Sequence, residues 1–438
     1  MSSSKPFRVG LVGFGNIGTG FVRHVISYRD LLARRIEGGI ELAAIADRYL
    51  DRERDVNPPP ETRMTTDWKD ITGDPTIDAV VELVGVDRED GRPNTAREIA
   101  IAALSNGKHF VTANKGLIAT HGAELHTLAE KSGALVLYEA TVGAGIPIIT
   151  SLQGALAANR IVSIHGILNG TCNYILTRMA EEPELTLHQA IEEAQRLGYA
   201  EPDPRSDIEG EDAAYKLVIL GSLAFGQELR VSHVRVEGIT RLTEKEFDFA
   251  RQNGYSLNLL ASAYTEANDE VCLHVSPVFL PWSHILASVS NVFNAMLVTG
   301  DPMGETMYYG AGAGQFSTAS GLLADLIVAS RQRKHPDYKP HCFKIPQGGA
   351  RLIPSEKIIQ PHYLRLDLAG RPDLEQEVIR MMPGKLVSST SSSVSFLLDP
   401  ISELELERLL QHAERLGVHP EAICHVRFAF TSGKESSE

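Results

Sequence analysis

The sequence predicts an α/β protein whose front third is a doubly wound parallel sheet and whose last stretch has the ferredoxin-like order. Three observations carry this. An apolar segment, "FRVGLVG", breaks into a glycine-rich turn and then a helical pattern. Apolar strand-like runs alternate with helix-period segments as far as "GALVLYEAT". From about Tyr363 the chain reads strand, helix, two strands, helix, strand.

The first strand, Phe7 to Val12, runs into Gly13, Gly15 and Gly18, after which Ile17, Phe21, Val22 and Val25 keep helical spacing. Between a strand and a helix this is a dinucleotide-binding turn. The first glycine permits the tight turn, the second lets backbone approach a pyrophosphate, and the third lets the helix lie close on the strand. The amides that open the helix, at Asn16 and Ile17, then face the phosphates. The second strand, "IELAAIAD", ends at Asp47, where such folds place the carboxylate that accepts ribose hydroxyls, which favours NAD. Arg48 follows at once, with Arg52 and Arg54 behind it, and an arginine there can hold the 2′-phosphate of NADP. "DAVVELVG" and "KHFVTANKG" are further strands, with helix-period segments near Thr95–Leu104 and Leu117–Ala129. The alternation gives an open, mostly parallel, Rossmann-type sheet whose ligands gather at the carboxyl ends of strands. Asn114 and Lys115 stand at such an end, which points Lys115 towards the nicotinamide side of the cleft.

The 438 residues leave room for two or three domains, and a net charge of −14 with a pI near 5.6 argues against nucleic acid as a partner. No uncharged run approaches the roughly 18–20 apolar residues that span a bilayer, and "MSSSKPFRVG" leads straight into a strand. A soluble cytoplasmic protein with a small-molecule ligand and no membrane partner is therefore expected. Cys172, Cys272, Cys342 and Cys424 are far apart, with no CxxC pair, so packed thiols are expected rather than disulfides or a zinc site.

"YAEPDPRSDIEGEDAAYK", from Tyr199 to Lys216, carries six carboxylates against two cations, Arg205 and Lys216. Such a run is a solvated face or a pocket for something positive. Pro202 and Pro204 predict an extended loop, and "GEDAAYKLVIL" a helix with Asp212 and Lys216 four apart on one face.

With "VTANKG", "YEATVGAGIPII", "HGILNGTCNYIL" and "GYAEPDPRSDIEGEDAAYK" in this order, the chain closely resembles the homoserine dehydrogenase family. These NAD(P)-dependent enzymes interconvert L-aspartate 4-semialdehyde and L-homoserine. The resemblance runs from about residue 7 to residue 330. It implies a nucleotide-binding domain over 1–145, completed by about 311–345, an α+β substrate-binding and dimerisation domain over 146–310, and a homodimer or homotetramer. Glu201, Asp207 and Asp212 match the family's substrate-binding carboxylates; Glu201 and Asp207, converging from the extended loop, would hold the substrate's ammonium. Asp203, Glu209 and Glu211 are left to solvent. Asn169, Gly170 and Thr171 match a motif near the substrate. Lys115 and Lys216 match active-site lysines, one of which would stabilise and protonate the alkoxide formed by hydride transfer. Lys115 is the favoured donor, with Lys216 binding substrate or relaying the proton through water, and the reverse assignment stays open.

The resemblance further implies a monovalent cation, sodium or potassium, held by Glu139 and the backbone of Val142, Ala144 and Ile146. In "YYGAGAGQFSTASG", Gly312 and Gly314 would let backbone approach the nicotinamide ribose, and the helix that follows would pack back on the first domain. Two departures stand here: Ala311 where the family usually has arginine, and Ser317 where it has proline. His165 reads as a packed or capping histidine. Residues 360–431 resemble an ACT regulatory domain, for which threonine is the usual effector, although "GRPD", Gly370 to Asp373, replaces the usual "DRPG" turn.

Two rival readings remain at this stage. An acylating semialdehyde dehydrogenase would need Cys172 as nucleophile beside a base. A catalytically inactive amino-acid sensor would use the tail alone.

Overall fold

The computed structural model describes residues 5–85, 92–334, 349–368 and 371–430. Cys342, most of the linker "RQRKHPDYKPHCFKIPQGG" and Gly370 lie outside the described residues. The chain forms two compact units. One comprises Met1–Val162, Tyr215–Val231 and Val298–Ala350, the other Ser163–Ala214, Ser232–Leu297 and Arg351–Glu438.

The first unit is built on six strands: β1 (Phe7–Val12), β2 (Ile40–Ala46), β3 (Arg63–Thr65), β4 (Ala79–Glu82), β5 (His109–Thr112) and β6 (Val136–Leu137). They lie in the order β3-β2-β1-β4-β5-β6, and all five pairings are parallel. The order reverses between β1 and β4, so the switch point, where a dinucleotide binds in such sheets, opens beside the glycine turn. Parallel strands are covered on both faces, which is why Val9, Leu11, Val81 and Val111 are fully buried. Helix Asn16–Ser27 covers them with Phe21, Val22 and Val25. Helix Gln315–Lys334 brings Leu322, Leu323 and Leu326 to the same core, as the sequence predicts for the segment after "GAGAG".

The second unit centres on β10 (Val271–Pro281), paired antiparallel along its whole length with β9 (Tyr255–Thr265). Earlier in the chain come β7 (Arg160–Ile167) and the short β8 (Arg235–Val236); β11 (Phe293–Asp301) follows, and β12 (Gly304–Ala311) comes after it, within the residues of the first unit. The tail contributes β13 (Ile359–Asp367), β14 (Lys385–Ser389), β15 (Ser393–Ser402) and β16 (Ile423–Phe428). With helices Pro372–Met381 and Glu403–Arg415, the tail has the strand-helix-strand-strand-helix-strand order read from its sequence. Its strands lie as β16-β13-β15-β14, all antiparallel. They do not form a separate sheet. β16 pairs with β10 through Val278–Arg427 and Phe279–Phe428, making the sheet mixed and continuous.

An ion pair ties the tail to the rest of this unit. Arg365 Nε donates to Glu246 Oε1 at 2.7 Å and Nη2 donates to the Arg241 carbonyl at 3.0 Å, with both side chains almost wholly buried. Removing one partner strands the other charge in a low-dielectric interior. Glu246→Ala is therefore expected to lower the unfolding free energy by about 3–5 kcal/mol, and the double change Glu246→Met with Arg365→Met to lower it by less. Urea denaturation followed by circular dichroism measures both; a loss below about 1 kcal/mol for Glu246→Ala would mean that the pair is screened or replaceable.

Candidate active site

At the end of β1 the chain turns with Gly13 at φ +99°, and a Cβ there would stand 2.6 Å from the Leu83 carbonyl oxygen. A Cβ on Gly18 would lie 2.3 Å from the Gly13 carbonyl oxygen, whereas one on Gly15 would meet nothing within 4 Å. Gly13 and Gly18 thus serve close backbone packing, whereas Gly15 borders open space. No side chain caps the helix that starts at Asn16, which leaves its first amides to a ligand. Ile17 packs against the core, and Gln315 Nε2 donates to the Asn16 carbonyl at 2.8 Å. Gly312 is buried, and Gly314 has φ +111° just before the second covering helix.

Asp47 follows β2. Its carboxylate accepts from Phe14 N at 2.7 Å and Tyr49 N at 2.8 Å, and Arg54 Nη2 lies 3.3 Å from it. Arg54 also donates to the carbonyls of Phe14 and Tyr49, and its guanidinium covers the Phe14 ring at 4.4 Å. Arg54 therefore braces the glycine turn. Arg48 and Arg52 are exposed.

Lys115 opens helix Lys115–Ser132 directly after β5, half-buried at the strand ends. Asn114 is its N-cap: Oδ1 accepts from Leu117 N at 3.0 Å, while Nδ2 donates to the Val84 carbonyl at 3.1 Å. Sequence reasoning passed over Glu82, the last residue of β4, which is fully buried. Its oxygens accept from Val84 N and from Thr112 Oγ1, each at 2.6 Å. Burial pushes this carboxyl up to about 7, partly offset by those two bonds. The only signal was an acid inside an otherwise apolar parallel strand.

In the second unit, Asn169 caps helix Gly170–Glu181 through Oδ1, which accepts from Cys172 N at 2.7 Å. Its Nδ2 donates to Asp207 Oδ1 at 2.7 Å and to Asp212 Oδ2 at 2.8 Å. One amide group thus draws two carboxylates together, with Asp212 buried and Asp207 half-buried. The structure pairs Asp207 with Asp212 rather than with Glu201, whose residue is exposed. The proline-fixed extended loop also ends sooner than the sequence suggested. Arg205–Ile208 form one helical turn starting at Pro204, which turns Asp207 inward. Asp203 pairs with Arg205 at the surface, and Glu209 and Glu211 are exposed, in line with the solvated reading.

Thr171 Oγ1 donates to the Tyr199 carbonyl at 2.7 Å, which fixes the start of the acidic stretch. Gly170 sits where a Cβ would lie 2.7 Å from the Val292 carbonyl oxygen. Cys172 is fully buried and its thiol donates to the Asp207 carbonyl at 3.1 Å, a packed role unlike that of an exposed nucleophile. His165 is packed as expected, with Nδ1 3.0 Å from Ser262 Oγ and burial lowering it to about 4. Lys216 is buried one turn along helix Glu211–Phe225 from Asp212.

In the first unit, Glu139 is buried, and its carboxylate accepts from Ile149 N at 2.9 Å, Thr150 N at 2.7 Å and Thr150 Oγ1. It thereby caps the short helix Ile148–Gln153. Gly143 and Ala144 have φ of +69° and +54°, a left-handed pair that turns successive carbonyls of the Val142–Ile146 loop. Ser317 closes this loop: its hydroxyl accepts from Gly145 N at 3.0 Å and donates to the Ala311 carbonyl at 3.1 Å.

The homoserine dehydrogenase family model matches residues 147–327, and the model of the family's NAD-binding domain matches residues 13–139. The homoserine dehydrogenase of Pseudomonas aeruginosa is 39% identical over 383 residues, 86% of each chain. The chain belongs to the homoserine dehydrogenase family. The Synechocystis homoserine dehydrogenase is 40% identical over 373 residues, 83% of this chain and 84% of its own. The crystal structure of the Thiobacillus denitrificans homoserine dehydrogenase superposes with a TM-score of 0.85 at 36% identity, covering 97% of this chain and 98% of that one. The chain is accordingly an NAD(P)-dependent oxidoreductase of amino-acid biosynthesis, with homoserine dehydrogenase activity. Among the described residues no helix is long and apolar enough to cross a membrane.

For a homoserine dehydrogenase built on this turn, Gly15→Ala and Gly18→Ala have different outcomes. Gly15→Ala keeps the melting temperature and raises the Kd for NADPH at least tenfold, about 1.4 kcal/mol. Gly18→Ala lowers the melting temperature as well, because its Cβ meets backbone. Fluorescence titration and thermal melting separate the two; unchanged NADPH affinity in Gly15→Ala would remove the pyrophosphate from this turn.

Proposed function

We propose that the amino-acid substrate is held through its ammonium by the pair Asp207 and Asp212, and that Lys115 protonates the carbonyl oxygen while Lys216 orients it. The Asn169 amide group that bonds both carboxylates carries this reading. Two anions held side by side favour a cation between them and gain charge-assisted bonds when it arrives. Glu201, exposed at the mouth of the acidic stretch, would meet the substrate as it enters. Asn169, Gly170 and Thr171 shape the pocket rather than react.

When bound, the nicotinamide supplies hydride to the aldehyde carbon of L-aspartate 4-semialdehyde. A lysine ammonium near the carbonyl oxygen stabilises the developing alkoxide and gives it a proton, which yields L-homoserine. Lys115 is assigned as donor because it opens a helix at the strand ends where such sheets hold the nicotinamide. Asp47, held towards the turn, favours NAD. Exposed Arg48 is the residue a 2′-phosphate would meet, and the structure of a hyperthermophilic archaeal homoserine dehydrogenase, 25% identical with a TM-score of 0.62, is a complex with NADPH.

NADH and NADPH oxidation with aspartate 4-semialdehyde tests this reading. Lys115→Ala is expected to lower kcat by about 10²–10⁴, and Asp212→Asn to lower kcat/KM by roughly a hundredfold. Wild-type rates in folded Lys115→Ala would move the proton to Lys216.

The left-handed Gly143–Ala144 pair supports a sodium or potassium ion held by the carbonyls of Val142, Ala144 and Ile146. The Glu139 carboxylate, committed to a helix N-terminus, would add its charge at short range. Replacing sodium and potassium by choline is expected to lower kcat/KM severalfold, with recovery on adding either ion. Equal rates in choline would leave the loop a purely structural turn.

We also read the tail as an ACT-like regulatory domain, supported by its strand order, with threonine as the effector to try first. A homodimer or homotetramer in the cytoplasm completes the reading, on the family resemblance.

A further inference from the structure

We propose that Glu82 is a positioning residue for this reaction: through Thr112 and Asn114 it holds the start of the Lys115 helix against the strand-end loop beside the cofactor turn. The inference rests on the assignment of Lys115 as proton donor.

The hydrogen bonds form a closed ring. Glu82 accepts from Val84 N with one oxygen and from Thr112 Oγ1 with the other. Thr112 Oγ1 in turn accepts from Asn114 N at 2.9 Å. Asn114 Nδ2 returns to the Val84 carbonyl, and its Oδ1 caps the helix at Leu117 N. Glu82 and Thr112 are register partners on adjacent parallel strands, so the two ends of the ring are set by the sheet itself. The loop the ring closes on is the one whose Leu83 carbonyl oxygen and Val84 N would lie 2.6 and 3.1 Å from a Cβ on Gly13. One network therefore fixes both the wall of the glycine turn and the backbone from which Lys115 projects.

A bland alternative is that Glu82 only satisfies polar groups at the end of a buried strand. Against it stands the expense of the choice. A carboxylate with no exposed surface pays a large desolvation penalty that an apolar residue would avoid. Its bonds go to the two groups, Val84 N and Thr112 Oγ1, that lead to the lysine-bearing cap. Misplacing a reacting group by about 1 Å can cost a hundredfold in rate, so a rigid cap has a kinetic use that a stability role lacks.

The test compares Thr112→Val, Thr112→Ser, Glu82→Ala and Glu82→Gln in the full chain. Thr112→Val keeps the shape and removes the hydroxyl, Thr112→Ser restores it, and Glu82→Gln keeps an acceptor for Val84 N while its amide donates to Thr112. Support is a kcat lowered at least tenfold per folded enzyme in Thr112→Val and Glu82→Ala. KM for aspartate 4-semialdehyde stays within about twofold, and Thr112→Ser recovers the rate while Glu82→Gln recovers part of it. Should Glu82→Ala fail to fold, Thr112→Val carries the test alone. The inference is overturned if Thr112→Val turns over at the wild-type rate, or if its lost rate only tracks lost folded protein. Lys115→Ala, run in parallel, separates the two readings. If it abolishes turnover while the ring variants do not, this inference fails and the lysine assignment stands. If it turns over normally, the assignment fails and takes the inference with it.

Discussion

The missing side chain at Gly13 is the constraint on which the nucleotide-binding unit depends. Because the turn after β1 can lie against the Leu83 carbonyl, the ends of β1 and β4 close up at the one place where the sheet reverses its order. Everything placed at that crevice inherits its position from the contact. Phe14 N reaches Asp47, Arg54 clamps the outside of the turn, and Val84 meets the cap of the Lys115 helix. A larger residue at position 13 would therefore displace cofactor backbone and lysine cap together, through backbone atoms that have no rotamers with which to adjust.

Asn169 has the corresponding place in the second unit. As an N-cap it is tied to the helix it starts, and its amide donates to both Asp207 and Asp212. An aspartate here could cap the helix equally well. It could not donate, and three carboxylates would then face one another. The choice of amide over acid at this one cap keeps two carboxylates side by side without a third facing them.

Much of this was legible in the sequence because it is local. The glycine turn, the strand-helix alternation, the strand end at Asn114 and Lys115 and the order of the tail all follow from spacing within a few residues. The Asp207–Asp212 pair was not, since the residue that joins them lies about forty positions earlier in the chain; the prolines pointed to Glu201 instead. Pro204 can extend a loop, yet proline is equally suited to starting a helix, and here it precedes the turn that carries Asp207 inward. Continuity of the tail with β10 left no trace, because a two-residue parallel pairing has no periodicity of its own. Glu82 was visible as an acid in an apolar strand, but its partners belong to the next strand and the loop beyond.

The buried charges of the second unit are held in two different ways. Arg365 with Glu246, and Arg427 with Glu403, are buried pairs neutralised from within, each with a permanent partner. Asp207 and Asp212 share the neutral amide of Asn169, and on the proposed reading a cation settling between them relieves their mutual repulsion. On the proposed reading that relief would be available to the substrate in its ground state and its transition state alike, and so would lower KM more than it raises kcat. Acceleration has to come from a group whose interaction grows as the carbonyl oxygen gains charge. A lysine whose ammonium waits at the right distance would do this, and on the proposed assignment a buried glutamate and a threonine hydroxyl at the end of two strands belong to the kinetic design.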